Sequence, residues 1–406
     1  MRTHLTSIKQ RLFYLVLCMA LMLPALQETN AQIFKIPHPD TTIGNAFGSS
    51  VAIDGHRALV GASAEKTCGP NSGAAYVFER DSTEGTWSQV ARLTPKECVI
   101  GDFFGRSLSI SGNRAVIAAS GSFPSRNASN AAYIFERDEA TGAWEEVSKI
   151  SHKSDIEEGS FAASVSLDGD RVLIATSGDP IRHEYSGAAY IYERNEKGNW
   201  VRKARLTGSD SKAFGIFGGS GALDGDYAVV TASMYYKEKP GSLYIFERNP
   251  ATDKWKEVKR IGGIDDIFIS VAMDDRYILA GESLDGSKKS GIATLYERSD
   301  DNTWALKQII KPNVPYKSGA FGSEVSFDGK SALIAGYDEQ LGKNFNIDRV
   351  VYEFKYSEPL DEWKQRRIFD VGAVDFGTAI AAGGGYALIG QVSDQAPGAA
   401  YVVRIR

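Results

Sequence analysis

His183 and Glu184 stand side by side, and a histidine beside a carboxylate is a pairing that general acid–base chemistry uses. The bland reading of such a neighbouring pair is two solvated side chains. The other histidines beyond residue 31 are His38, His56 and His152, scattered along the chain, so a metal site would have to gather ligands from distant segments. The chain holds no His-Glu-x-x-His, no Gly-x-Ser-x-Gly, no phosphate loop and no dinucleotide fingerprint. The expectation is a protein that is not an enzyme, with no catalytic residues, no metal ligands and no cofactor.

Binding chemistry is better represented. Phe123, Arg126, His152, Arg182, His183, Tyr185, Tyr235, Tyr236, Tyr316 and Phe345 all fall between apolar stretches. Aromatic and Arg side chains exposed on loops are typical interface anchors. These residues form the expected binding face. A protein or glycan ligand is the expected partner, its identity open. One alternative is a lectin-like propeller stacking sugars on the aromatic loops. A second is a hydrolase with carboxylates gathered at a channel mouth.

What must position these loops is a repeat. Phe47-Gly48-Ser49-Ser50-Val51 opens a phrase that recurs from Phe104, Phe161, Phe217, Phe268, Phe321 and Phe376. A period of about 55 residues marks a propeller or an array. Each unit reads as four short strands. In the first, Phe47 to Ile53 runs into Asp54-Gly55, a strong hairpin turn signal. Arg57 to Ala62, Gly73 to Arg80 and Trp87 to Leu93 follow. The six Trp residues (Trp87, Trp144, Trp200, Trp255, Trp304 and Trp363) share one repeat position, which predicts packing between neighbouring units. The predicted fold is all-β, a seven-bladed β-propeller with four-stranded antiparallel blades.

The last unit stops at Arg406 after its third strand. Ile33-Phe34-Lys35-Ile36 aligns with the end of a fourth strand, so the N-terminal strand is expected to close the ring and remove two open sheet edges. First-to-second and third-to-fourth turns then share one short, uniform face. Second-to-third loops and blade connections share the other, where length and chemistry vary and where binding is expected.

Residues 1–31 read as a signal peptide: Arg2, Lys9 and Arg11 precede an apolar stretch from Leu12 to Leu26, and Ala31 offers a small cleavage residue. The mature propeller is expected over 32–406, secreted or held at the cell surface or in the periplasm, without a membrane span and as a monomer. Processing would move the formal net charge from −5 to −7, because three basic residues and Glu28 leave. That balance argues against nucleic acid as a partner. Cys68 and Cys98 remain, and in an exported chain such a pair predicts a disulfide. It would join a second-to-third loop to the next blade connection. In the chain-entropy model a closed loop of about 31 residues contributes roughly 3–4 kcal/mol.

The Phe-Gly-x-Ser-Val phrase, Gly61-Ala62 and the recurring Tyr-Val-Phe-Glu-Arg ending at Arg80 resemble the FG-GAP repeat family, in particular its bacterial exported branch. The resemblance covers nearly all the mature chain and implies a seven-bladed propeller like the head of integrin α subunits. Units three and five depart from Phe-Gly, at Phe161-Ala162 and Phe268-Ile269. A second departure concerns calcium. Integrin-type repeats often carry an Asp-rich loop between the first two strands. Here that loop is reduced to pairs such as Asp54-Gly55, Asp168-Gly169 and Asp224-Gly225. Calcium needs six to eight oxygens, so these pairs are expected to serve as turns.

Overall fold

The structure is a computed structural model. It describes residues 33–36, 38, 42–121, 129–151, 161–177, 186–210, 215–233, 241–262, 268–282, 291–314, 320–338, 348–373, 375–393 and 396–405.

Seven four-stranded antiparallel sheets form the seven blades. In the first, Phe47–Asp54, Arg57–Ala62, Ala74–Arg80 and Trp87–Leu93 pair in sequence order. The next five repeat that order. The seventh is made of Phe376–Gly383, Tyr386–Gln391 and Ala399–Arg404, with Ile33–Lys35 paired on its outer edge. That pairing is antiparallel, with Ile33 opposite Val403 and Lys35 opposite Tyr401. The Ile36 amide continues it by donating to the Ala400 carbonyl at 2.8 Å.

The core lies between blades rather than inside any one of them. Ala58, Val60 and Ala62 pack with Leu388 and Val402 of the seventh blade, while Leu59 between them packs with Ile117 and Tyr133 of the second. Both faces of a second strand are therefore buried. This explains why these strands read as unbroken apolar runs while the fourth strands alternate. Trp residues work at the same boundaries. Trp87 meets Tyr386 of the seventh blade edge-on at 6.0 Å, and Trp304 meets Tyr227 of the fourth at 5.9 Å.

The repeated phrase has a steric reason. Phe47 is fully buried, edge-to-face with Tyr76, and Phe104 lies against Tyr133 in the same way. Gly105, at φ +93°, brings its backbone against Gly61 of the previous blade, where a Cβ on Gly61 would collide with the Gly105 carbonyl. Phe-Gly and Gly-Ala are thus two halves of one contact between blades. At the next boundary both glycines are alanines. Ala118 replaces the first, and Ala162 takes φ +61° in place of the second. Phe161 remains buried, so the departure in the third unit leaves its first strand, Ser164–Asp168, in register with the rest. The fifth unit likewise keeps a first strand, Phe268–Asp274.

The boundary between the last two blades differs again. Glu353 is wholly buried where other blades carry Val77 or Ile134, and it is paired with Arg367 and Lys355. Arg367 donates to the Arg404 carbonyl at 3.0 Å and Lys355 to the Ile405 carbonyl. The two cations thereby hold the C-terminal strand. A buried ion cluster of this kind tolerates loss of a partner poorly.

Candidate functional site

The ring presents a channel and two faces. The channel is a polar cavity of about 450 Å³ walled by the seven first strands. Its serines face the next blade as well as the cavity. Ser107 Oγ accepts from the Val165 amide at 3.2 Å, Ser166 from Leu223 at 3.0 Å, Ser270 from Val325 at 3.1 Å and Ser326 from Ala382 at 2.9 Å. An innermost strand has no fifth strand to pair with, and these hydroxyls take the N–H groups it would leave bare. Glu324 occupies one such serine position. Burial pushes its carboxyl up to about 7, against a hydrogen bond from Ser270 that favours the charged form.

On the turn face the hairpin residues also reach across. Asp54 Oδ2 accepts from the Gly112 amide at 2.7 Å, Ser111 Oγ from Gly169 at 3.1 Å and Asp168 Oδ2 from Gly225 at 2.8 Å. The turn aspartates thus cap the neighbouring turn. Burial, with Asp168, Asp274 and Asp275 nearby, raises Asp224 to about 6. Among the described residues no three His, Cys, Asp or Glu side chains are grouped as metal ligands.

The opposite face carries the second-to-third loops. Here a tyrosine of the third strand, a loop carboxylate and a cation of the fourth strand recur as a set. Tyr76 donates to Glu65 Oε2 at 2.6 Å, and Arg92 pairs with Glu65. Tyr244 donates to Asp210, and Arg260 lies 3.1 Å from the same carboxylate. Burial first, and the adjacent carboxylate second, push Tyr76 and Tyr244 up to about 12, so both remain donors at any ordinary pH. Cys68 and Cys98 form a disulfide, Cα to Cα 6.3 Å, joining the Glu65 loop to the following connection. Glu65 is only 8% exposed, and Thr67, Tyr76 and Arg92 all donate to its carboxylate.

Phe123, Arg126, His152, Arg182, His183, Tyr185, Tyr235, Tyr236, Tyr316 and Phe345, the residues expected to form the binding face, all lie outside the described residues, as does the segment expected to be a signal peptide. Of the described loop-face groups, the structure brings together Glu65, Tyr76, Arg92 and the disulfide. Sequence reasoning assigned the disulfide. It missed the triad, whose signal is an Arg or Lys on the fourth strand opposite the recurring Tyr. The register pairs Tyr76 with Arg92 and Tyr244 with Arg260.

The FG-GAP repeat family matches residues 31–78, 87–135 and 200–246. No curated protein sequence matches the chain. Among solved structures, the RRP9 WD40 repeats align with a TM-score of 0.56 at 9% identity, over 92% of this chain and 97% of that one. The periplasmic gluconolactonase PpgL of Pseudomonas aeruginosa aligns at 0.51 and 12% identity, over 80% and 86%. A putative 6-phosphogluconolactonase of Bacteroides fragilis aligns at 0.51 and 13% identity, over 80% and 84%. At such identities the likeness is one of fold, which hosts many activities.

Proposed function

We propose that this FG-GAP repeat β-propeller is an exported, non-catalytic scaffold that binds a protein partner through its loop-rich face. One observation carries the reading. Polar residues that recur among the repeats join blades: serines cap the next first strand, turn aspartates cap the next turn, and Glu79 and Glu136 pair with arginines of the next blade. The chemistry left for a ligand lies in the second-to-third loops and blade connections, where the seven copies differ in length and composition. The disulfide on that face suits an oxidising compartment, and among the described residues no helix is long and apolar enough to cross a membrane.

A photo-crosslinker placed at exposed Ile100, in the blade connection on the loop face, and at Glu84, in a turn on the other face, tests this directly. Capture of a defined protein from Ile100 and not from Glu84 is the expected result. Capture only from Glu84, or specific glycan-array binding without a protein partner, defeats the proposal. The gluconolactonases of similar fold make lactones the first substrates to try, and turnover of one would place the chain among enzymes instead.

A further inference from the structure

The connection entering the first blade, Thr42, Ile43, Gly44 and Asn45, and the turn Ala64, Glu65, Lys66 and Thr67 wall a pocket of about 180 Å³. It lies on the loop-rich face, one residue from the disulfide at Cys68. Two of its side chains, Asn45 and Lys66, carry donors that bind nothing else among the described residues. Asn45 is 3% exposed and its Oδ1 accepts from the Phe47 amide at 3.1 Å. Only the oxygen of a side-chain amide can accept from an N–H, so that bond fixes which way the amide lies and leaves Nδ2 as a donor. Nδ2 is buried and has no partner among the described residues. Lys66 is exposed, and among the described residues its ammonium has no partner. The one carboxylate in the wall, Glu65, is bound by Arg92, Thr67 and Tyr76, which leaves Lys66 as the uncompensated charge.

We infer that this pocket binds a carboxylate, carried on an acidic side chain of the protein partner. The inference rests on the reading of the loop-rich face as an interaction surface and supplies its anchor. The volume equals about six waters of bulk liquid, enough for a carboxylate and its first carbons. The charged rim gives such a contact on-rate and specificity, and the amide donor gives it geometry.

Acetate is the probe. In the full mature chain, acetate at constant ionic strength shifts the amide resonances of Ile43, Gly44, Asn45 and Lys66 saturably, and methylammonium does not. Asn45→Asp keeps an acceptor for the Phe47 amide while replacing the donor with a negative charge, and it weakens acetate binding at least about tenfold. Lys66→Ala, at an exposed position without structural partners, weakens it several-fold and serves as the second variant if Asn45→Asp does not fold. No saturable response in the unaltered chain, or an equal response in both variants, overturns the site. Because acetate needs no partner, the two readings fail separately. Saturable acetate binding alongside no protein capture from Ile100 defeats the interaction reading and leaves the pocket. A partner that binds the unaltered chain and Asn45→Asp equally defeats the pocket's role and leaves the interaction reading.

Discussion

The Arg137 guanidinium lies 3.0 Å from the Glu79 carboxylate across the boundary between the first two blades. Arg57, on the strand beside Glu79, donates to the same oxygen at 2.9 Å. Glu136 stands likewise between Arg114 of its own blade and Arg194 of the next. Across the first three blades the Glu-Arg ending of the third strand therefore links neighbours, Glu79 and Glu136 each lying between an Arg of its own blade and an Arg of the next. Further round the ring the pattern changes: Arg248 turns to Asp226 and Asp253, and Arg298 to Asp275.

Glu79→Gln leaves Arg57 and Arg137, 13% and 19% exposed, facing each other without a counter-charge. Exposed pairs contribute less than about 1 kcal/mol and buried ones several, so a loss of about 1–2 kcal/mol is expected here. Urea unfolding measures it, with exposed Glu84→Gln as the neutral comparison. Equal midpoints for the two variants would remove this link as a stabilising element.

Deletion of residues 32–38 tests whether the N-terminal strand closes the ring. It removes the three-residue pairing with Ala399–Arg404 and the almost wholly buried Ile36. The outer edge of the seventh blade would then stand open, a template for pairing with another chain. The expected result is a thermal transition lowered by many degrees, with aggregation on heating. An unchanged melt refutes closure by this strand.

Strand boundaries, hairpin turns and the Trp positions were legible because each depends on local pattern. The predicted strands Arg57 to Ala62 and Trp87 to Leu93 coincide with the observed ones. Cys68 and Cys98 could be paired because topology alone puts their loops on one face. What could not be read is the cross-blade hydrogen bonding. Ser107 and Ser166 look like the polar half of an alternating strand, yet their partners, Val165 and Leu223, sit one repeat further along the chain. The Asn45 pocket was hidden for a different reason. Its walls come from a blade connection and a loop, segments with no period to compare.

Ser270→Ala probes the serine ladder where it is deepest. Ser270 is 4% exposed and its hydroxyl takes the Val325 amide at 3.1 Å. Alanine leaves that buried N–H unpaired, a cost of about 1–3 kcal/mol. Ser270→Thr, which keeps the hydroxyl, recovers most of the loss if the hydrogen bond is the cause. Equal destabilisation by both variants would point to crowding in the channel wall instead.

Asp224 gives the fold a pH dependence of definite sign. Its carboxyl is raised from 3.8 to about 6, first by burial and then by Asp168, Asp274 and Asp275. Between those two values the folded chain holds a proton that the unfolded chain has released, so this group makes stability fall as pH rises from about 4 to 6. Above pH 6 the ionised carboxylate remains a net cost, and below pH 4 both states are protonated and the cost vanishes. Asp224→Asn keeps an oxygen acceptor and removes the charge. It should therefore stabilise the protein at pH 8 by up to about 2 kcal/mol, with the gain shrinking through pH 6 to 4 and absent below that. Denaturant unfolding at pH 3.5, 5 and 8 measures the profile. A gain of the same size at all three values, or a loss at pH 8, would show that Asp224 is not held above its ordinary range by its acidic neighbours and burial.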